Sequence, residues 1–562
     1  MELMMNKITP RQIPPARPFA RWAAFGLIAA IALAAPLPIR ADPAQMICVD
    51  PLVKVLRAET NLPVADAVAD VAVGEYATIQ FVFRAPVAVS NLSASVAGDV
   101  PRAVVRFVGF VKVGKPYGGP EDTIQAPDGL FPDPLLEDGS IAVAANQNQP
   151  VWITFPADKP GIFQGELVVR FDGAELRRPF TVCVHHVRMK KPRLRITNWW
   201  FSDPERLAML AGHKVKPFSR EYWKLICVFA DFMQQYHQNV VLISPLDLTQ
   251  FRRGYDGQWN FDFSRFDKTV KIFISAGVIG RIEGGHIGGR PGEDWNADFT
   301  LRVPELASNG DVRFVNLPPT NALTREFYGP FFTAFARHLA SRGWDKIYWQ
   351  HIGDEPVDSS APSYIQCAAL LHEFAPALPT IEATQTRKLV GSVNNWVPIL
   401  DHFHQGADFF RQRQQAGDEV WFYTCCGPTG PYANRFIEQL LIKPRLLHWI
   451  NFRYGATGYL HWGFNYWNPA TSPFDETTFR WPAGDQWIVY PKNGKLLSSI
   501  RLEAMRDGIA DNELLCQLAA RDPATAHKLA AQTILDFDRY DTDIPRFRAR
   551  RLQLLRALES PQ

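Results

Sequence analysis

Residues 346–358 read Lys-Ile-Tyr-Trp-Gln-His-Ile-Gly-Asp-Glu-Pro-Val-Asp, a β-prone run that stops at two adjacent carboxylates, Asp354 and Glu355, set between Gly353 and Pro356. Ile347, Tyr348, Trp349 and Ile352 make the run apolar on both faces, the pattern of a parallel strand covered on each side within an α/β domain. Carboxylates at the C-terminal end of such a strand stand at a mouth. Two neighbouring acids do not ionise independently: like charge at short range raises one pKa while the other group stays ionised, which supplies an acid and a base at neutral pH. Successive strand residues point to opposite faces, so the pair shares a pocket only where the backbone leaves the pleat. Gly353 permits that break, and Pro356 is expected to hold Glu355 extended as strand gives way to loop. Perturbed carboxylates gather at active sites; on a solvated loop the same pair would only help to start the next helix.

Outward from this segment, strand-like and helical patterns alternate over some 300 residues. Strands are predicted at 194–200, 240–244, 278–282, 380–384, 389–393, 420–424 and 458–462, with helices at 222–236, 263–276, 327–341 and 363–374. That alternation predicts an α/β (β/α)8 TIM-type barrel, with its chemistry at the C-terminal strand ends and Asp354-Glu355 closing the fourth strand. Before it, residues 46–187 offer only short β-type runs between Gly, Pro and Asp turns, as in Thr78-Ile-Gln-Phe-Val-Phe-Arg84, which predicts an all-β sandwich. The expected organisation is multidomain: a signal peptide over 1–41, a β-sandwich over 46–188, a catalytic barrel over 192–520 and a C-terminal helical extension over 521–562.

With 60 Lys and Arg against 57 Asp and Glu, the net charge of +3 gives neither a nucleic-acid footprint nor an anionic-membrane surface. Lys7, Arg11, Arg17 and Arg21 precede an apolar run from Trp22 to Ala35, then small residues and Pro before Asp42. This is a signal-peptide layout, too short to span a bilayer, so an exported chain with no stable membrane span is expected. Ala35 and Ala41 are both possible cleavage positions. Seven Cys leave at least one unpaired. Cys48 and Cys183 bracket the first folded region and could close it in an oxidising compartment. Cys227 and Cys367 fall in apolar helical runs and are expected as buried thiols, and the neighbours Cys425 and Cys426 either as a strained vicinal disulfide or, the more ordinary reading, as two free thiols. No CxxC spacing marks a metal site, and the His402-x-His404 pair lacks a clear third ligand, so no metal and no cofactor are expected.

Four segments together resemble glycoside hydrolase family 123: HIGDEPVD at 351–358, VWFYTCCGPTGPYANRF at 420–436, YGATGYLHWGFNYW at 454–467 and SIRLEAMRDGIADNELL at 499–515. The resemblance implies a β-N-acetylgalactosaminidase that retains configuration by substrate assistance, the 2-acetamido oxygen attacking its own anomeric carbon to form an oxazoline. It assigns Asp354 to orienting and stabilising the acetamido group and Glu355 to general acid and then base. An ordinary retaining enzyme needs a carboxylate nucleophile across the scissile bond from its acid, and substrate-assisted enzymes do not, which suits two acids adjacent in sequence.

Around that pair, Tyr423 ends a strand and could donate to the acetamido carbonyl, or be a buried Tyr with a satisfied hydroxyl. Trp462, Asn465 and Trp467 follow the last strand and could form an aromatic wall on the sugar, though aromatics are also core material. Trp199 and Trp200 end the first strand, and one of them should face away. Glu283 and His286 belong to a glycine-rich stretch, Gly284-Gly-His-Ile-Gly-Gly289, read as an active-site loop rather than a nucleotide fingerprint. His351 shares the Asp-Glu strand. Arg501, Glu503, Arg506, Asp507 and Asp511 have the spacing of ion pairs within one helix. The expected function is an exo-glycosidase removing terminal β-linked N-acetylgalactosamine from a glycan or glycoconjugate. The alternatives are a glycosidase on another 2-acetamido or neutral sugar, with a nucleophile such as Glu283, and a non-catalytic carbohydrate-binding cell-envelope protein.

Overall fold

Period-two alternation builds the N-terminal part of the protein. In the long strand Ala174–Arg188, Phe180, Val182 and Val184 are buried while Thr181, Cys183 and His185 stand between them on the other face. It belongs to a five-stranded sheet with Val68–Val73, Gly161–Phe171, Val89–Gly98 and Ile141–Val143. A second sheet contains Gln45–Val49, Tyr76–Arg84, Asn148–Pro156, Val104–Val113 and Leu130–Leu136. The inner faces share one core, with Phe83 edge-on to Phe171 at 4.9 Å and Phe155 tilted on Phe163 at 5.4 Å. This is the interdigitated packing of two facing sheets.

These relations come from a computed structural model, which describes residues 44–100, 102–114, 123–292, 294–307, 312–477 and 481–559. The expected signal segment lies outside them. Among the described residues no helix is long and apolar enough to cross a membrane. All seven cysteines are free thiols, Cys48 and Cys183 included, and Cys227 is exposed on its helix rather than buried.

Beyond the sheets, short parallel strands group in threes: Arg195–Asn198 with Gly458–His461 and Phe422–Tyr423; Val240–Leu242 with Arg281–Gly284 and Tyr348–Gln350; Ile381–Thr384 with Asn395–Pro398 and Glu419–Val420. Single backbone contacts join the groups. Asn239 N–H donates to Ile196 O at 3.2 Å and Gln350 N–H to Pro379 O at 2.9 Å, while Ile399 bridges Tyr423. Helices Arg220–Gln235, Ser264–Ser275, Ala322–Arg342, Ala361–Phe374 and Ile442–Tyr454 alternate with the strands. Between Ile381–Thr384 and Asn395–Pro398 there is no helix. The strand expected at 389–393 is instead a turn around Gly391, whose φ of +87° reverses the chain so that Val390 bridges Val393. The strands' two faces bury different sets: Trp199, Trp349, Val397, Trp421, Tyr423 and Leu460 pack inward, while Ile196, Trp200, Ile282 and Tyr348 pack against the helices.

The C-terminal part is helical, over Ile500–Ala519, Pro523–Thr533 and Ile544–Glu559. The charges of Ile500–Ala519 mostly brace other elements rather than one another. Buried Arg501 donates to Asp133 at 2.8 Å and to the carbonyls of Arg435 and Gly484, and Asp511 accepts from Arg445 at 2.7 Å and from Arg551. Arg506 makes the intrahelical pairs, with Glu503 three residues before it at 2.5 Å and with its neighbour Asp507 at 2.9 Å.

Candidate active site

Asp354 and Glu355 follow strand Tyr348–Gln350 at its C-terminal end, as the strand pattern requires. The backbone leaves the pleat at Glu355 itself, with φ of +48°, and not in the extended form expected before proline. A left-handed non-glycine residue costs about 1–3 kcal/mol and persists only where its surroundings hold it. Here Glu355 N–H donates to Ala383 O at 3.1 Å, and its carbonyl accepts from Arg290 Nη1 at 2.8 Å. Gly353 is required for close approach: a Cβ there would come within 2.5 Å of the Phe299 ring.

Beneath the pair lies a buried row of ionisable groups. His351 is held between two carboxylates, Nδ1 to Glu382 Oε1 and Nε2 to Glu283 Oε1, both at 2.7 Å. Glu283 also accepts from Thr197 Oγ1 at 2.7 Å and Trp199 Nε1 at 2.9 Å. Glu382 Oε2 accepts from the N–H groups of Ile352 and Gly353, at 2.9 and 3.0 Å, and from Tyr364 at 3.0 Å. His286 joins this floor to the mouth, its Nε2 lying 3.3 Å from Glu382 and 3.8 Å from Asp354. Trp199 stands edge-on to both imidazoles, at 5.2 and 5.5 Å.

The environments set the protonation states. For Glu382, the cost of burial is outweighed by the charge of His351 and hydrogen bonds from His286 and His351, which take its pKa down to about 2. The same carboxylates outweigh burial at His351 and raise it to about 10, so the ring is an imidazolium donating through both nitrogens. Glu355 has no such compensation. Burial and then the charge of Asp354 raise its pKa to about 7, against hydrogen bonds from Tyr423 and Gln385. Asp354 is raised too, by displaced water and by Glu382, with His286, His351 and Arg290 pulling the other way. Its side chain remains 52% exposed, open to whatever enters. The site therefore holds a carboxyl raised to about 7 beside a second, accessible carboxyl that is also raised, two acids within reach of one ligand from which a proton donor and an anionic acceptor can be drawn.

The structure brings Asp354, Glu355, Tyr423, His351 and Glu283 together, the last two below the pocket rather than in its wall. Tyr423 donates its hydroxyl to Glu355 Oε1. Trp462 is partly exposed, and its indole N–H donates to Asp485 at 3.1 Å. Three expected residues lie elsewhere. Trp200 turns outward onto Phe229 and Phe273, its N–H donating to Leu242 O, and Trp199 takes the inward position because adjacent strand residues alternate. Trp467 is wholly buried and donates to Val489 O, while Asn465 exchanges two hydrogen bonds with the Phe201 backbone. Both brace the loop after the last strand.

Sequence reasoning missed Glu382, Arg290 and Gln385. The signal for Glu382 was an acid inside the strand Thr380-Ile-Glu-Ala-Thr384, a position that burial makes costly unless the charge is compensated. His286, His351 and Glu382 lie close enough to share an ion, though both ring nitrogens of His351 already meet carboxylates, Glu382 and Glu283, at 2.7 Å. His402 and His404 diverge: His404 meets Tyr432 at 3.0 Å and Asp536 at 3.6 Å, and it groups with Asp536 and Asp538 far from the paired carboxylates in the chain.

The profile described as "Glycoside hydrolase 123, catalytic domain" matches residues 200–518. A family 123 glycoside hydrolase from Clostridium perfringens, solved in a study of glycolipid glycan hydrolysis, superposes with a TM-score of 0.71 at 17% identity, covering 92% of this chain and 97% of that one. More distant are an endo-β-1,4-mannanase from Thermotoga petrophila (TM-score 0.32, 11% identity, 57% of this chain and 77% of that one) and a β-glucuronidase from Parabacteroides merdae (0.29, 9%, 85% and 52%). No curated protein matches the chain by sequence. The profile spans more than half of the chain and contains both paired carboxylates, so the protein belongs to glycoside hydrolase family 123 and is a glycoside hydrolase.

Proposed function

We propose that this enzyme is a retaining exo-glycosidase that releases terminal β-linked N-acetylgalactosamine through substrate-assisted catalysis. The observation that carries the reading is the side-by-side placement of Asp354, half exposed, and Glu355, raised to about 7, on one bend of backbone. In the first step Glu355 gives its proton to the leaving oxygen while the acetamido oxygen forms a bond to the anomeric carbon and the glycosidic bond breaks. Asp354 accepts a hydrogen bond from the acetamido N–H and offsets the positive charge of the oxazolinium. In the second step the Glu355 carboxylate takes a proton from water as the water opens the ring, restoring the original configuration. An intramolecular nucleophile of this kind is worth effective molarities of about 10⁵ M or more.

With Glu419–Val420 and Phe422–Tyr423 taken as two parts of one strand, the ring of short parallel strands supports an eight-stranded (β/α)8 barrel that lacks one crossover helix, with a β-sandwich before it and a C-terminal helical extension. The N-terminal segment supports export. The Clostridium perfringens relative suggests glycolipid glycans as the substrate class. The test is hydrolysis of p-nitrophenyl β-N-acetylgalactosaminide against the matched β-galactoside. Cleavage of the first alone is expected. Equal cleavage of both overturns substrate assistance, and cleavage of only the equatorial C4 epimer, the β-N-acetylglucosaminide, overturns the sugar.

A further inference from the structure

The hairpin beside the catalytic pair carries an aromatic ring that the proposed chemistry does not use. Its strands Gly288–Gly289 and Thr300–Leu306 pair antiparallel, and Gly288 N–H donates to Ile352 O at 2.9 Å, so the hairpin springs from the strand end that bears Asp354 and Glu355. Three hydrogen bonds tie it to the segment around and after that pair. Arg290 Nη1 donates to Glu355 O at 2.8 Å, Ser359 Oγ donates to Asn296 Oδ1 at 2.8 Å, and Phe299 N–H donates to Ser363 Oγ at 2.9 Å. The Arg290 guanidinium lies against two rings, 4.4 Å from the centroid of Trp295 and 5.2 Å from that of Phe299. Phe299 is buried against Gly353, whereas Trp295 is 46% exposed.

Trp is highly buried on average, and an indole left in water offers a large apolar face to a ligand. Here the ring is already ordered, because the guanidinium holds it at cation–π distance. Stacking on it therefore costs little further side-chain freedom. Its position gives the ligand. Glu355 stands between Tyr423, at its carboxyl, and Arg290, at its carbonyl. A terminal sugar whose leaving oxygen meets that carboxyl sends the rest of its glycan outward over the rim of the pocket, and on the rim one guanidinium separates the Trp295 ring from the Glu355 backbone.

We propose that Trp295, backed by Arg290, is the platform of an aglycone subsite and stacks on the C–H face of the sugar to which the cleaved residue is attached. Binding energy gained there, remote from the reacting bond, is available to hold the leaving oxygen at the acid. The inference rests on the reading of the protein as an exo-acting enzyme with Glu355 as its proton donor.

The experiment compares two substrates of the full-length enzyme: a trisaccharide of β-N-acetylgalactosamine on lactose, and methyl β-N-acetylgalactosaminide, which has the same terminal sugar and no second ring. Trp295→Ala should lower kcat/KM on the trisaccharide about tenfold more than on the methyl glycoside. Trp295→Phe keeps an aromatic face and should recover most of the difference. Equal losses on both substrates, or no loss on either, overturn the subsite. If the wild type cleaves neither, the proposed function fails instead, and calorimetric titration with lactose alone decides the subsite. Lactose binding that Trp295→Ala abolishes sustains it; binding that survives the substitution, or none in the wild type, overturns it.

Discussion

Glu382, inside one strand, and Glu355, past the end of the strand beside it, have charges that are opposite in design. Glu382 is wholly buried and remains ionised, because His351, His286, Tyr364 and two backbone N–H groups meet it. Glu355 is less buried, yet burial and then the charge of Asp354 raise it to about 7, against only hydrogen bonds from Tyr423 and Gln385 and the more distant charge of Arg290. Burial alone decides neither state; the number and sign of the partners do. The floor is a fully compensated array that holds geometry, and the mouth is a partly compensated pair that holds a proton. His286, between Glu382 and Asp354, is where the two meet.

The sharpest way to break this comparison is Glu355→Gln. It should lower turnover of a poor leaving group by about 10²–10⁴-fold, with a smaller loss on a p-nitrophenyl leaving group that needs little protonation. Steady-state kinetics on both substrates checks it, and equal losses on both would remove Glu355 from the acid role. Next is Glu382→Gln, which strands the His351 imidazolium and should cost about 3–5 kcal/mol of stability by denaturant titration. Because the Glu382 pKa is depressed to about 2, its contribution is present above about 4.5 and lost as pH falls toward 2. The stability gap between wild type and variant should therefore narrow in acid. The smallest effect is that of Tyr423→Phe. In wild type the protonated form of Glu355 is lost as pH rises through about 7, giving the alkaline limb of the kcat/KM profile. The Tyr423 hydroxyl lowers that pKa, so its removal should move the limb to higher pH; a downward or absent shift would mean that the hydroxyl does not favour the carboxylate.

Much of this was legible locally. The apolar run before Asp354 and Glu355 marked a parallel strand with acids at its end, and alternation in residues such as Thr78–Arg84 marked the N-terminal sheets. Tyr423 was legible as a strand-end residue. Trp200 and Trp467 were not separable from pocket-lining aromatics, since an indole reads alike in a core and in a wall. The i,i+4 spacing of charges in Ile500–Ala519 suggests pairs within the helix, whereas Arg501 reaches Asp133 and Asp511 reaches Arg445 and Arg551.

The sequence by itself determined the alternating elements and the adjacent pair Asp354-Glu355, because hydrophobic period and covalent adjacency are local properties. The tertiary structure alone decided which carboxylate keeps its proton. That choice depends on His286, Arg290, Glu382 and Tyr423, which arrive from other strands and loops, and Coulomb and desolvation energies depend on distance in space rather than on separation along the chain.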